Sequence, residues 1–330
     1  MTAFLLRRLA YLTVLVVVAT VVAYFLAATQ LNPRSRYEGR NPPPPPAAVD
    51  AILDELNLND KTPVVERFGR WASGVARGDL GRTIDNASVN EEIDRRMWVS
   101  LRLMLLGSIL GTLLGVAAGA YGAIRQYRFS DHVITISSFI VLAMPTVVLA
   151  VLVKDAGIGL NDLLGFTGES KLLYTTGEIT PGLEPWSLAG FSNRIAHLVL
   201  PTFVLMSGSI AFYSRYQRNA MLDVLGSDFL RTAQAKGLTR PQALVKHGLR
   251  TALIPMATFF AYQFALLFVG ATFTERVFGW HGMGELFVES ITKNDVNTVA
   301  GVTLFVAVLV LLAGFLSDLV YAALDPRVRV

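Results

Sequence analysis

The chain has 330 residues, of which 53% are hydrophobic and only 16% are charged. Soluble domains carry about 25% charged residues, so this composition argues against a water-soluble globule. The absence of cysteine excludes disulfides, thiolate nucleophiles and cysteine-ligated metal sites. The net charge of +4, from 29 basic and 25 acidic residues, is too balanced for a nucleic-acid binder that relies on a basic face.

Six stretches of at least 20 residues contain no Asp, Glu, Lys or Arg. Each is long enough to cross about 30 Å of hydrocarbon as a helix. A membrane β-barrel would instead show alternating segments of about ten residues, which this sequence lacks. We therefore predict an all-α polytopic membrane protein with six transmembrane helices. The predicted spans are 9–29, 103–124, 133–153, 195–214, 251–274 and 296–317.

The first span follows Arg7 and Arg8 and could be mistaken for a cleaved signal peptide. Its apolar run is 21 residues long, whereas the core of a signal peptide has about 7–15. We therefore expect an uncleaved helix, so that residues 1–29 form a short cytoplasmic N-terminus and the first span.

Basic residues are concentrated on one side of the six predicted spans. That side carries thirteen Lys and Arg and five Asp, which leaves sixteen basic and twenty acidic residues for the other side. Because short loops rich in Lys and Arg stay in the cytoplasm, both termini are predicted to be cytoplasmic. The residues counted inside are Arg7, Arg8, Arg125, Arg128, Asp131, Arg215, Arg218, Asp223, Asp228, Arg231, Lys236, Arg240, Lys246, Arg250, Asp318, Asp325, Arg327 and Arg329.

Residues 30–100 are predicted to form an external insertion. The five prolines of 42–46 favour a stiff polyproline II spacer, and 47–57 is compatible with a helix. Thr62-Pro63 then marks a helix start before an apolar stripe of Val64, Phe68, Trp71 and Val75. This pattern indicates a small amphipathic helical element. The second external region, 154–194, is rich in turn residues and shows no periodicity.

The cytoplasmic stretch 215–250 is too long for a simple hairpin and suggests a docking role. Ser227 or Asp228 can cap a helix that runs to Lys236, and Gly237 suits the left-handed position that ends it. Thr239 and Gln242 have the spacing of a capping box at the start of a second helix. We therefore predict a compact helix–turn–helix that protrudes between spans four and five.

The run 219–238 resembles the cytoplasmic loop of peptide-transporter permeases, the membrane subunits of bacterial ABC importers for dipeptides and oligopeptides. In that superfamily a Glu-Ala-Ala signature is followed four residues later by Gly and then by a hydrophobic-Pro pair. This chain has Arg231-Thr232-Ala233, Gly237 and Ile254-Pro255. Arg231 replaces the Glu, and the Gly-to-Pro spacing is longer than in the general pattern; both departures resemble the peptide subfamily. Further matches lie at 4–9, 77–83 and 274–284.

The resemblance implies a permease fold of the type I importer class, with residues 101–330 as its core and 219–250 as the coupling element. It implies an ATP-driven importer in the cell inner membrane that takes up short peptides. The implied partners are a second homologous permease, two ATPase subunits that bind ATP and Mg, and an external peptide-binding protein. No cofactor or metal is expected on this chain. The residues implied in coupling are Arg231, Thr232, Ala233, Lys236, Gly237 and Leu238.

Other functions remain as alternatives to peptide import. Nickel and glutathione importers have similar permeases, and a passive channel would need no cytoplasmic docking element. None of the six lysines follows a glycine, so the chain has no P-loop of its own, and no His-Glu-x-x-His motif is present. An intramembrane hydrolase assembled from Ser207 or Ser209 with His197 is a further, disfavoured alternative.

A pore that passes a peptide cannot be wholly apolar, so polar side chains within the spans are candidates for the translocation path. Span five offers Thr258, Tyr262 and Gln263, and span four offers Tyr213. The alternative is that these four side chains bond neighbouring helices. Glycines recur every fourth residue on span two and predict a close helix contact, either within the chain or with the second permease. They are Gly107, Gly111, Gly115 and Gly119.

Overall fold

The computed structural model describes residues 2–38, 41–166, 171–184 and 186–324. These ranges contain twelve α-helices and no β-strand, only an isolated bridge between Arg82 and Ser88. Asp325, Arg327 and Arg329 of the predicted cytoplasmic charge lie outside the described residues. The helices are α1 (Thr2–Gln30), α2 (Pro46–Glu55), α3 (Val64–Val75), α4 (Val89–Ile124), α5 (Phe129–Ala143), α6 (Thr146–Leu163), α7 (Leu188–Leu225), α8 (Asp228–Ala235), α9 (Arg240–Ala243), α10 (Leu249–Phe278), α11 (Met283–Thr292) and α12 (Val296–Leu324).

The predicted all-α membrane fold is confirmed. The helices α1, α4, α7 and α12 are each long and apolar enough to cross a membrane. Two bent helix pairs bring the number of candidate spans to six. One pair is α5 with α6, and the other is Pro241–Phe260 with Tyr262–Phe278, which meet at 51°.

The span predicted over 133–153 is a candidate span in the structure, but its helix is broken. The helices α5 and α6 meet at an angle of 113° within that stretch. Pro145 has no N–H to continue the α5 ladder, and it restricts the preceding residue to extended backbone. Met144 accordingly has ψ 128°, and α6 begins directly after the proline.

The chain separates into two compact units. We call the first the N-terminal unit; it comprises Ala3–Ser100 and His281–Leu311. The second, the central unit, comprises Leu101–Trp280 and the part of α12 from Leu312 onwards. Residues 281–311, which belong to the predicted permease core, are therefore grouped with the predicted insertion.

The N-terminal unit is built around aromatic side chains near the end of α1. Tyr24 is fully buried, and its ring centroid lies 5.1 Å from that of Trp71 and 5.3 Å from that of Phe68. Both partners belong to the predicted apolar stripe on α3, which is confirmed as a packing face. The proline spacer is one residue shorter than predicted, because Pro46 occupies the first position of α2.

Buried and ion-paired carboxylates hold the loops of this unit in place through hydrogen bonds. Arg34 donates to Asp60 at 2.7 Å, and this hydrogen bond lowers the pKa of Asp60. Asp295 precedes α12 and accepts from the backbone N–H groups of Thr298 and Ile84 at 3.1 and 2.9 Å. Burial raises the pKa of Asp295 in spite of these donors. The carboxylate thereby fixes the start of α12 against the loop before α4.

The helix α7 organises the central unit and contacts α5, α6 and α10. The four regularly spaced glycines of α4 also lie against it. A Cβ atom added at Gly111 would be 2.5 Å from the Cβ of Ser209, and one at Gly119 would be 2.3 Å from the carbonyl oxygen of Ser214. The glycine stripe is thus a contact within the chain, and a sister-subunit interface at these glycines is excluded because α7 covers them.

A bidentate ion pair joins α5 to α7. The Nε and Nη2 atoms of Arg218 donate to the two carboxylate oxygens of Asp131 at 2.6 and 2.8 Å. The Asp131 side chain is only 3% exposed and also accepts from the N–H of Tyr127. Such two-point geometry fixes the relative position of the two helices more firmly than a single contact.

In the described part of 154–194, hydrogen bonds from helix side chains to the backbone hold the loop between α6 and α7. α6 extends into this region as far as Leu163, and α7 starts at Leu188. Asn161 accepts from the N–H of Leu173 at 3.0 Å and donates to its carbonyl at 2.7 Å. His197 lies 2.8 Å from the carbonyl oxygen of Gly177. Bonds of this kind leave no periodic signal, which is why the sequence predicts no structure here.

Candidate functional site

The predicted coupling element, 219–250, contains the end of α7, the short helix α8 and the start of a longer helix. The predicted bounds of α8 are confirmed, with Ser227 at its N-cap and Lys236 at its C-cap. Gly237 has φ +94°, the left-handed backbone that ends a helix most easily at glycine. Ser227 does not cap through its side chain; its hydroxyl donates to the carbonyl of Val224 at 2.6 Å.

The predicted second helix is present, but it does not end before the next span. Its start is as expected, since the N–H of Thr239 donates to Oε1 of Gln242 at 3.0 Å. The helix then passes through a π-helical turn, Leu244–Gly248, directly into α10. Leu244 and Gly248 are both buried, so the buried face of the helix continues through this turn. No polar residue on that face ends the helix within this described turn. Only α8 and its flanking turns are inserted between two long helices.

One face of α8 packs on the chain's own helices. Leu230 and Ala233 are buried in a cluster with Val224, Ala243 and Leu244. Leu238 is half-buried beside the same cluster. Ala233 and Leu238, both in the predicted coupling set, therefore hold α8 in place rather than lie on its free surface.

The other face of α8 is exposed. Arg231 and Thr232 of the predicted set lie on it, and Lys236 and Gly237 are exposed in the turn that follows. Arg231 pairs with Asp228 at 2.7 Å, but the two side chains are 76% and 92% exposed. An exposed pair of this kind adds little to stability, so these charges are available for contacts outside the chain.

Two exposed apolar residues accompany these charges and were not singled out by the sequence. Phe229 is 43% exposed and Val245 is 67% exposed. Phe229 precedes Thr232 by three residues and Lys236 by seven, so the helical period places all three on one side of α8. This helical spacing could have identified Phe229 from the sequence as part of the exposed face. We call Phe229, Thr232 and Lys236 the α8 surface.

The four predicted pathway residues do not converge on one site. Tyr213 is fully buried, and its Cβ packs closely on Gly115 of α4. Thr258 and Tyr262 are both exposed, as their shared helical face predicts. Gln263 points elsewhere and lines a cavity of about 150 Å³ between α5, α6, α7 and α10.

The hydrolase alternative fails on geometry. Ser207, Ser209 and His197 all lie on α7. At 1.5 Å per residue, the ten and twelve residues between them correspond to about 15 and 18 Å, far beyond hydrogen-bonding distance. The hydroxyl of Ser207 donates to the carbonyl of Phe203 instead, at 2.6 Å.

The fold and the sequence both match known transport proteins. The family described as "Binding-protein-dependent transport system inner membrane component" matches residues 111–330. The chain is 49% identical over its full length to the full-length oligopeptide transport system permease protein OppB of Mycobacterium tuberculosis strain H37Rv. It is 34% identical over 285 residues, 85% of this chain and 84% of the relative, to the oligopeptide transport system permease protein AppB of Bacillus subtilis strain 168. It is 31% identical to the dipeptide transport system permease protein DppB of Escherichia coli strain K12, with 84% of each chain covered.

A solved structure shares the fold. An inward-facing form of the MetNI methionine ABC transporter matches with a TM-score of 0.53 and 18% identity, over 71% of this chain and 96% of that chain. The chain thus belongs to the family of binding-protein-dependent transport system inner membrane components. It is a multi-pass inner-membrane protein and a permease subunit, and family membership implies ATPase and substrate-binding partners.

Proposed function

We propose that this chain is the membrane-spanning translocation subunit of an ATP-driven importer for short peptides. The observation that carries the proposal is the full-length similarity to permeases named for oligopeptide and dipeptide transport. The chain would work beside a second, homologous permease, with two ATPase subunits that bind ATP and Mg, and with an external peptide-binding protein. Both of its termini would face the cytoplasm, as the distribution of Lys and Arg predicts.

The α8 surface is proposed as the part of the chain that receives the ATPase. Support comes from the combination of exposed Phe229 with exposed Thr232 and Lys236, since an exposed apolar residue with polar and charged neighbours is typical of a protein interface. The opposite face of α8 is anchored through Leu230 and Ala233 on helices that continue into the membrane. A force applied at α8 would therefore be transmitted to α7 and α10, and would bias an equilibrium between inward-open and outward-open states.

Uptake measurements in cells test the proposed cargo. A strain that lacks this gene should lose ATP-dependent uptake of labelled di- and oligopeptides and recover it with the wild-type gene. Uptake should fail when the P-loop lysine of the partner ATPase is replaced, which distinguishes an importer from a passive channel. Unchanged peptide uptake in the deletion strain, with loss of nickel or glutathione uptake, would assign the chain to one of those cargoes.

A further inference from the structure

An apolar groove lies on the central unit between α4, α10 and α12. It has a volume of about 460 Å³, and no charged side chain lines it among the described residues. Thr112 and Ser317 are its polar lining residues, and the hydroxyl of Ser317 donates to the carbonyl of Ala257. Apolar side chains form the rest of the lining, among them Leu253, Met256, Phe260 and Leu324.

The groove is open to the outside of the chain. Leu113 of α4 is 64% exposed, and Leu316 and Val320 of α12 are 52% and 45% exposed. Met256 and Ala257 of α10 are buried and form the floor. An empty apolar cleft would lose the dispersion contacts that lipid or protein atoms supply. The groove is therefore filled when the chain lies in a membrane.

The groove has the dimensions of one lipid acyl chain. Its α10 lining extends from Leu253, three residues after Arg250, to Phe260. From Arg250 to Phe260 the helix rises about 15 Å, half of the roughly 30 Å of hydrocarbon in a bilayer. If a methylene group is about as large as a water, about 30 Å³, the volume holds roughly fifteen carbon atoms. The groove thus extends through one leaflet.

Arg250 lies at the membrane-surface end of the groove. It directly precedes the predicted span 251–274. Its Nε and Nη2 atoms donate to the carbonyl oxygens of Leu324 and Ala323 at 3.2 and 3.3 Å. Leu324 lines the groove, and so does Leu253, one helical turn after Arg250. The guanidinium is therefore next to the groove on both α10 and α12.

The charge of Arg250 is available to a ligand. The residue is exposed, and it forms no ion pair within the part of the chain that the structure describes. The two carbonyl contacts use two of the five N–H groups of the guanidinium, so three are left. The arginine fork matches the oxygens of a phosphate group, and basic residues between transmembrane helices are typical of sites for acidic lipid headgroups.

We propose that this groove binds one anionic phospholipid, with an acyl chain between α4, α10 and α12 and the phosphate on the guanidinium of Arg250. The apolar lining accommodates the chain, and the cation at one end selects the headgroup. The site goes beyond the proposed function, because its ligand is a membrane lipid and not the cargo. Since α10 continues directly from the coupling element, the lipid also packs against the helix that would transmit movement from α8.

Lipid retention by the assembled transporter tests the site. The transporter, with both permeases and the ATPases, is reconstituted in nanodiscs of equal parts dioleoylphosphatidylglycerol and dioleoylphosphatidylcholine. It is then extracted in mild detergent, and the lipids that stay bound are counted by native mass spectrometry. The wild type is expected to retain phosphatidylglycerol in preference to phosphatidylcholine. Arg250→Gln should lower the occupancy of phosphatidylglycerol about tenfold, the effect of losing a hydrogen bond to a charged group.

The matched control is Arg215→Gln, which removes a charge from the same predicted side of the membrane. The guanidinium of Arg215 lies 4.2 Å from the ring centre of Phe139, and neither residue belongs to the described lining. This variant should retain phosphatidylglycerol like the wild type. The other subunits are identical in every sample, so a difference between variants originates in this chain. Wild-type occupancy in Arg250→Gln, or an equal loss in both variants, overturns the site.

A second variant, Val320→Trp, covers an Arg250→Gln chain that fails to assemble. Val320 is 45% exposed on the rim of the groove, so a larger side chain can enter the groove without displacing the core. It should lower the retention of phosphatidylglycerol several-fold although Arg250 is present. Unchanged retention overturns the site. Separation of the two permeases by Val320→Trp, with no lipid retained by the wild type, would assign the groove to the second permease and also overturn the site. Peptide uptake is measured separately, so neither result bears on the proposed cargo.

Discussion

At the scale of single residues, glycines decide how closely two helices approach. Gly111 of α4 faces Ser209 and Met206 of α7, and the space for a side chain is already filled. Gly159 of α6 also lies within a helix, but no atom outside its own helix lies within 4 Å of an added Cβ. The same substitution at the two positions therefore isolates the cost of the close approach.

Gly111→Ala is expected to destabilise the folded chain by about 1–3 kcal/mol, because the new Cβ would lie 2.5 Å from the Cβ of Ser209. Gly159→Ala should be neutral or slightly stabilising, since alanine is a better helix former than glycine. Thermal unfolding of the purified transporter in detergent measures both effects. Equal melting temperatures for the two variants would contradict the role given to the glycine stripe.

At the scale of elements, α8 has two faces with different tasks. The buried face, with Leu230 and Ala233, positions the helix, and the exposed face, with Phe229, is free for a partner. The resemblance implies that Ala233 takes part in coupling, which predicts that a charge introduced there would lie against the ATPase partner. In the structure that charge would lie in the chain's own apolar cluster. It would therefore destabilise the fold directly, whether or not it also affects coupling.

Ala233→Asp is expected to lower the melting temperature, because it buries a carboxylate without a partner at a cost of about 2 kcal/mol or more. Phe229→Asp should leave the melting temperature unchanged, because the side chain is already 43% exposed. It should nevertheless weaken association with the ATPase subunits at least tenfold. Thermal unfolding and a titration of the ATPase onto the purified permease pair measure the two quantities. Wild-type ATPase affinity of Phe229→Asp would show that the α8 surface is not the docking site.

At the scale of the whole molecule, the two bent helix pairs decide the number of crossings. Four straight helices are long enough to span the membrane alone, and each bent pair adds a crossing only if its two halves leave the membrane on opposite sides. The 113° bend between α5 and α6 makes that pair the critical one. If α5 and α6 form a re-entrant pair, the segment after α6 lies on the same side of the membrane as the first residue of α5.

A reporter fused at Glu178 is expected to lie outside the cytoplasm, because α5 and α6 together count as one crossing. Fusions within 226–236 and after Val330 should report the cytoplasm, and a fusion at Pro44 should report the outside. Alkaline phosphatase and green fluorescent protein fusions report whether each fusion site lies outside or inside the cytoplasm. A cytoplasmic signal at Glu178 would mean that α5 and α6 form a re-entrant loop, and a C-terminal reporter active outside would rule out six spans.

Elements with local signals could be predicted from the amino-acid sequence. Charge-free runs located the six candidate spans, and the spacing of Phe68 and Trp71 defined the packing face of α3. Gly237 marked the end of α8, because its left-handed backbone is a property of the residue itself. These signals depend on length, period and backbone preference, which a chain carries before it folds.

The helix faces that meet could not be predicted from the sequence and are known from the fold. In the fold, the glycines of α4 pack on α7, and Ala233 is buried in the chain's own apolar cluster. Ser209 and Gln263 line one cavity although they are 54 residues apart in sequence. The fold also joined the second helix of the coupling element to α10, since the burial of Leu244 on a neighbouring helix leaves no local signal. The physical reason is that contacts between helices inside a membrane depend on shape and on pairing of polar atoms, and neither is a periodic property of one segment.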